Sequence, residues 1–257
     1  MTRNSLTFTL IFTHYGNPDF LNLSLSKVIK YLDSRIIEVL IINQNREVIV
    51  DLKNLPLKVK KLEYEFDHAQ ISKVGHDHAS SLDKTIRTHN FISSHVAVMD
   101  SDCFPTRIDW LPNKDECYLA SDPKKAGFSH PCFMVLPVRL LKNISFSQGL
   151  LELGIDTGRL IALQLVESGH KVKLLKFKNT FGGLRGQLYY EVGVYHHGSG
   201  SFKFSTDSRL KRQYRKERFF NFMKRLAAEN FTVSPLLYFD FALSQIERVA
   251  KNTFKRS

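Results

Sequence analysis

The chain has 257 residues, 43% hydrophobic and 12% aromatic, with a net charge of +12. That length and apolar share allow one large α/β domain, or a domain with a helical appendage, to bury a sizeable core. The positive surplus favours anionic partners (nucleotide phosphates, nucleic acid or an anionic membrane face), and the three scattered cysteines, Cys103, Cys117 and Cys132, exclude both a disulfide framework and a CxxC zinc knuckle. A reducing cytosol follows from that cysteine usage.

In chain order, "LTFTLIFT" (6–13) reads as a strand rather than a signal peptide, being short, broken by threonines and without a cleavage site. "NPDFLNLSLSKVIKYL" reads as a helix, with Asn17 as N-cap, Pro18 at the first position and Leu21, Leu25, Val28, Ile29 and Leu32 on one apolar face. Strands are expected at "IIEVLIIN" (36–43) and "LKVKKLEY" (57–64), and a helix at "HASSLDKTIRTHNFI" (78–92). A fourth strand, "HVAVMD", follows. Alternating strands and helices imply a mostly parallel sheet with helices on both faces.

The middle of the chain is less regular. "CYLA" and "CFMVLP" read as short strands, "DTGRLIALQLVESG" (156–169) as a helix with an Asp or Thr cap and a Gly stop, and "KVKLLKF" as a strand. "NTFGGLRGQ" (179–187) is a glycine-rich loop, and "LYYEVGVYHHGSGS" is one strand running into another. From about residue 207 the composition turns basic and aromatic, and 207–257 reads as a helical extension to a catalytic region 1–206. No segment approaches the ~18 apolar residues of a spanning helix, so the expectation is a soluble protein, at most held on a membrane surface.

The informative stretch is "HVAVMDSDCFP" (95–105), where a buried-type strand stops at Asp100 and Asp102. Ligands of open parallel sheets bind at the carboxyl ends of the strands. Two adjacent carboxylates raise each other's pKa unless a positive charge lies between them, and a hard divalent cation supplies one. A solvated turn with Asp102 as a cap is the plain alternative.

Several stretches in order, "FTLIFTHYGNPDFLNLSL", "IIEVLIINQN", "GHDHASSLDKTI", "VAVMDSD", "LLELGIDTGRLIALQLVESGHKVKLL" and "VYHHGSGS", together resemble the GT-A fold nucleotide-sugar glycosyltransferases, nearest the family 2 type, over roughly residues 6–205. The resemblance implies a Rossmann-like GT-A fold, with 1–102 as the nucleotide-sugar half and 103–206 as the acceptor half. It implies Mn2+ or Mg2+ held by Asp100, Asp102 and a late His, an Asp general base, inverting transfer and a nucleotide-diphosphate sugar donor. It departs from the family at the base, a single Asp156 preceded by Ile155, and after strand two, where Asn43-Gln44-Asn45 stands in place of an acidic residue.

Each residue also has a plainer role. Asp156 is an N-cap or the base. His196 and His197 point opposite ways on a strand, and His196 is favoured for the metal. Thr13 and Tyr15 end the first strand or line the base and ribose. Asn43 and Asn45 end strand two or meet a nucleobase edge. Asp83 is assigned to the ribose. Arg185 sits in a loop that lacks a P-loop ending and either closes on the donor diphosphate or is a turn. His76 and His78, two apart without a third ligand in sequence, read as surface or cap residues. Residues 209–226 mix basic and aromatic groups and read as a core-packing helix, an anionic membrane contact or a nucleic-acid contact, in that order. The combined expectation is a metal-dependent glycosyltransferase acting on a glycan or lipid-linked glycan in polysaccharide biosynthesis, cytoplasmic or peripheral at the cytoplasmic membrane face. A sugar-phosphate nucleotidyltransferase and a nucleic-acid-binding module rank behind it.

Overall fold

A computed structural model of the chain describes residues 6–14, 18–44, 58–63, 76–122, 126–149, 157–179 and 188–196. The first half alternates as the hydrophobic periods require: β1 (Phe8–His14), α1 (Pro18–Lys30), β2 (Ile36–Asn43), β3 (Val59–Glu63), α2 (His76–Thr88) and β4 (His95–Asp100). Then come β5 (Cys103–Pro105), β6 (Cys117–Ser121), β7 (Ser129–Pro137), a 3-10 turn (Val138–Asn143), α3 (Ile161–Glu167), β8 (Val172–Leu175), β9 (Phe177–Asn179), β10 (Leu188–Tyr190) and β11 (Val194–His196).

Seven strands form the central sheet in the order β3-β2-β1-β4-β7-β6-β8. β3, β2, β1 and β4 run parallel, as do β6 and β8, and β7 is antiparallel to both of its neighbours. The sheet is therefore mainly parallel and flanked by helices, as the GT-A resemblance implies. Strands covered on both faces are mostly apolar, and β1 is buried along its whole length, Thr9, Thr13 and His14 included. Alternate residues sort the core into two layers. Phe8, Leu10, Phe12, Ala97 and Met99 pack with Leu21, Leu25 and Val28 of α1. Ile11, Val96 and Val98 pack on the other face with Ala79, Leu82 and Ile86 of α2 and Ile161, Ala162 and Leu165 of α3.

The second sheet, β5-β11-β10-β9, is antiparallel throughout. Only two residues separate the end of β4 from the start of β5, so the Asp100–Asp102 segment is where the chain passes from one sheet to the other.

Several boundaries differ from the sequence expectation. α3 starts at Ile161, not at 156, because Gly158 sits at φ +65° in the left-handed region and breaks the incoming helix. Neither Asp156 nor Thr157 is its N-cap; that position is Leu160, with no side-chain cap. The predicted Gly stop stands, Gly169 having φ +78°. α2 ends at Thr88, short of 92, and Ile92 is exposed. Leu32 falls beyond the end of α1 and is exposed, so it does not extend the apolar face. "KVKLLKF" divides into β8, which joins the central sheet, and β9, which joins the second. The extension 207–257 lies outside the described residues.

Candidate metal and donor site

β4 delivers Asp100 at its last position, paired in register with Thr13 of β1. The Thr13 hydroxyl donates to Asp100 Oδ1 at 3.1 Å. The next residue is tied on two sides: the Ser101 N–H donates to the Thr13 carbonyl at 3.0 Å, and the Ser24 hydroxyl of α1 donates to the Ser101 carbonyl at 2.6 Å. These bonds hold the turn and fix where its carboxylates stand.

β5 then pairs with β11, placing Cys103 opposite His196. The pairing brings His196 to the turn, with Nε2 3.5 Å from Asp102 Oδ1. Ligand atoms of Asp100, Asp102 and His196 all lie within 4.8 Å of one another. Asp102 and His196 are buried and Asp100 is half-buried. Burial pushes the Asp100 carboxyl above its usual value; the nearby His78 opposes this, and the Asp102 charge adds to it. For His196 burial acts against the charged form, but the Cys132 and Asp102 side chains outweigh it and hold the imidazole well above its ordinary value. His196 Nδ1 is buried with no hydrogen-bond partner among the described residues.

Of the other residues assigned from sequence, Asn43 is buried at the end of β2, in register with His14. Asp83 is buried on α2, and its carboxylate is occupied. Oδ1 accepts from the Phe146 N–H at 2.7 Å. Oδ2 accepts from the Ser145 hydroxyl at 2.9 Å, the Ser147 N–H at 3.1 Å and the Ser147 hydroxyl at 2.5 Å. In the fold this carboxylate anchors the 145–147 turn. Tyr15, Asn17, Asn45, Asp156, Arg185, His197 and the segment 209–226 lie outside the described residues.

Three residues at the site carried no usable sequence signal. His78 Nε2 stands 3.4 Å from Asp100 Oδ1, so the histidine read as a surface or cap residue faces the carboxylates. Its distance from the DSD stretch along the chain hid the contact. His130 and Cys132 of β7, neither of them assigned to the site from sequence, also approach His196. Cysteines without CxxC spacing gave no hint of this.

His14, at the end of β1, has both ring nitrogens buried without a hydrogen-bond partner among the described residues. Burial, with a smaller contribution from Lys61, lowers its pKa to about 4. A histidine with a depressed folded pKa favours the folded state fully above its unfolded pKa and loses that advantage as pH falls from about 6.5 toward 4. We expect this loss to reach about 3 kcal/mol at the acid end. The check is denaturant unfolding of wild type and His14→Leu across that range: only the wild type should show the drop, and parallel curves would refute the assignment.

No protein-family profile matches the chain, and no curated protein matches it. Among solved structures it is similar to the mannosyltransferase PcManGT from Pyrobaculum calidifontis in complex with GDP-Man and Mn2+. That similarity has a TM-score of 0.43 and 12% identity, over 67% of this chain and 55% of that one. The apo-form glycosyltransferase GlyE of Streptococcus pneumoniae is similar with a TM-score of 0.43 and 11% identity, over 65% of this chain and 45% of that one. The chain thus spans about half the length of either. Among the described residues no helix is long and apolar enough to cross a membrane.

Proposed function

We propose that the chain is a metal-dependent glycosyltransferase that moves a sugar from a nucleotide-diphosphate sugar to a hydroxyl of a glycan or lipid-linked glycan. The observation that carries this reading is the convergence of Asp100, Asp102 and His196 at the carboxyl end of β4, beside β1, in a mainly parallel sheet. The donor set fits Mn2+ or Mg2+: two carboxylates and an imidazole, with ligand atoms within 4.8 Å of one another, suit a hard to borderline cation. When bound, such a cation neutralises charge on the leaving diphosphate.

Thr13 keeps Asp100 in one orientation, and the Ser24 and Thr13 backbone ties hold Asp102 one residue further on. Asn43 closes the end of β2 on the nucleotide side, and Tyr15, Asn45 and Arg185 are assigned to the donor there. Asp83 is read as the anchor of the 145–147 turn rather than as the ribose contact. Asp156 is assigned as the base: it accepts the proton of the acceptor hydroxyl as that oxygen attacks the anomeric carbon and the bond to the diphosphate breaks, which inverts the anomeric centre. The Asp156 assignment is supported by the chemistry of the reaction and by its place just before the Gly158 turn, which is packed on β7 through the Ser129 hydroxyl donating to the Gly158 carbonyl at 2.7 Å. Residues 1–206 form the catalytic region in this reading. The basic 207–257 extension supplies the contact to an anionic membrane surface through 209–226.

The test is thermal melting with UDP, GDP and dTDP, with CMP as control, each with and without Mn2+. One diphosphate should raise the melting point only when the metal is present. At a hundredfold excess over Kd the gain is about 2.7 kcal/mol, or roughly 5–10 °C for a chain of this size. The absence of any metal-dependent shift with all three diphosphates would overturn the proposal.

A further inference from the structure

His196 belongs to two donor sets. The second consists of His130, Cys132 and His196, whose ligand atoms also lie within 4.8 Å of one another. His130 and Cys132 stand two apart on β7 and so project from the same face of that strand. β11 brings His196 in from the other sheet, with the His130 and His196 rings 5.0 Å apart between centroids. Cys132 and His196 are buried, and His130 is half-buried. The set has no counterpart in the carboxylate chemistry of the site: nothing in sugar transfer from a nucleotide donor uses a buried thiol beside two imidazoles.

We propose that His130, Cys132 and His196 form a soft-metal site that takes Zn2+ or a cation of that class, alongside the Asp100–Asp102 pair. One thiolate and two imidazoles with a fourth position open is a ligand set that Zn2+ accepts and Mg2+ does not. Ligand atoms around a tetrahedral zinc are separated by about 3.5 Å given bond lengths near 2.0–2.3 Å. Side-chain rotations on the order of an ångström therefore close the set. One further observation points to a ligand: among the described residues His196 Nδ1 is buried with no hydrogen-bond partner. The two donor sets share one imidazole, so a cation in one alters the other.

The experiment uses the full chain and does not depend on sugar transfer, so it can fail while the diphosphate melting test succeeds, and the reverse. Co2+ is titrated as a spectroscopic probe. A thiolate-to-cobalt charge-transfer band should appear in the near ultraviolet, saturate at one equivalent and disappear on adding Zn2+. Cys132→Ser should lose the band, and His130→Ala should weaken cobalt binding by more than about tenfold. Cys103→Ser and Asp100→Asn should both keep it. X-ray absorption of the zinc-loaded wild type needs no variant and should show one sulfur at about 2.3 Å with nitrogen neighbours at about 2.0 Å. Absence of sulfur in that shell, a band that survives Cys132→Ser, or a band lost in a folded Asp100→Asn protein would each overturn the proposal.

Discussion

Asp102→Asn is expected to lower sugar transfer by about 10³-fold while leaving the melting point of the unliganded protein within about 2 °C of wild type. The rate loss corresponds to about 4 kcal/mol, the scale on which a cation stabilises charge in a reaction of this kind. Asparagine keeps the volume of the buried side chain but removes the charge that faces His196 Nε2 at 3.5 Å and completes the donor set with Asp100. Two readouts separate this from a general loss of structure. The metal-dependent melting shift with the cognate diphosphate should vanish, and far-ultraviolet circular dichroism should be unchanged. A variant that turns over donor at the wild-type rate would show that Asp102 holds no catalytic cation. His196→Ala should fall in the same direction, since it removes the third donor of the same set.

The second large effect concerns stability. Asp83→Ala should cost about 3–5 kcal/mol and lower the melting point by about 10 °C. The carboxylate serves four donors, two of them backbone N–H groups, and the Phe146 N–H is buried. Truncation leaves those donors without a partner, and each buried unsatisfied donor costs about 1–3 kcal/mol. The damage should spread toward the site by a traceable route. The Phe146 carbonyl accepts from the Gly158 N–H at 2.9 Å, and the Phe146 ring fills the space that a side chain at Gly158 would need. Loosening the 145–147 turn therefore loosens the approach to α3, where Asp156 is assigned. If Asp83 instead held a ribose, Asp83→Asn would weaken donor binding and leave the melting point in place. Unfolding curves and donor titration of the same variant distinguish the two outcomes.

Much of this protein is written locally. The apolar run of β1, the spacing of Leu21, Leu25 and Val28 in α1, and the β-branched stretch ending at Asp100 depend on neighbours within a turn or a pleat, so they read directly from the chain. The DSD stretch could be placed at a strand end for the same reason, and the rule that ligands sit at carboxyl ends of parallel strands then marked it. Thr13 was singled out through the family resemblance, as a residue lining the base and ribose, and the pairing of β1 with β4 sets it beside Asp100.

Other features depend on contacts between residues far apart in sequence, and no period or spacing encodes those. β7 looks like any apolar strand, yet it alone runs against its neighbours in the central sheet, because direction is set by how the connections cross and not by side-chain pattern. The late start of α3 follows from a left-handed Gly158 pressed on Met134 and Phe146, whereas local propensity favours helix through the same residues. Asp83 has the sequence context of an ordinary helical carboxylate and acquires its partners only when the 145–147 turn packs against α2. His78, His130 and Cys132 meet the Asp100–His196 cluster because two sheets join at one turn. Side chains of a few ångströms' reach are brought together there by backbone pairing, which a linear chain does not display.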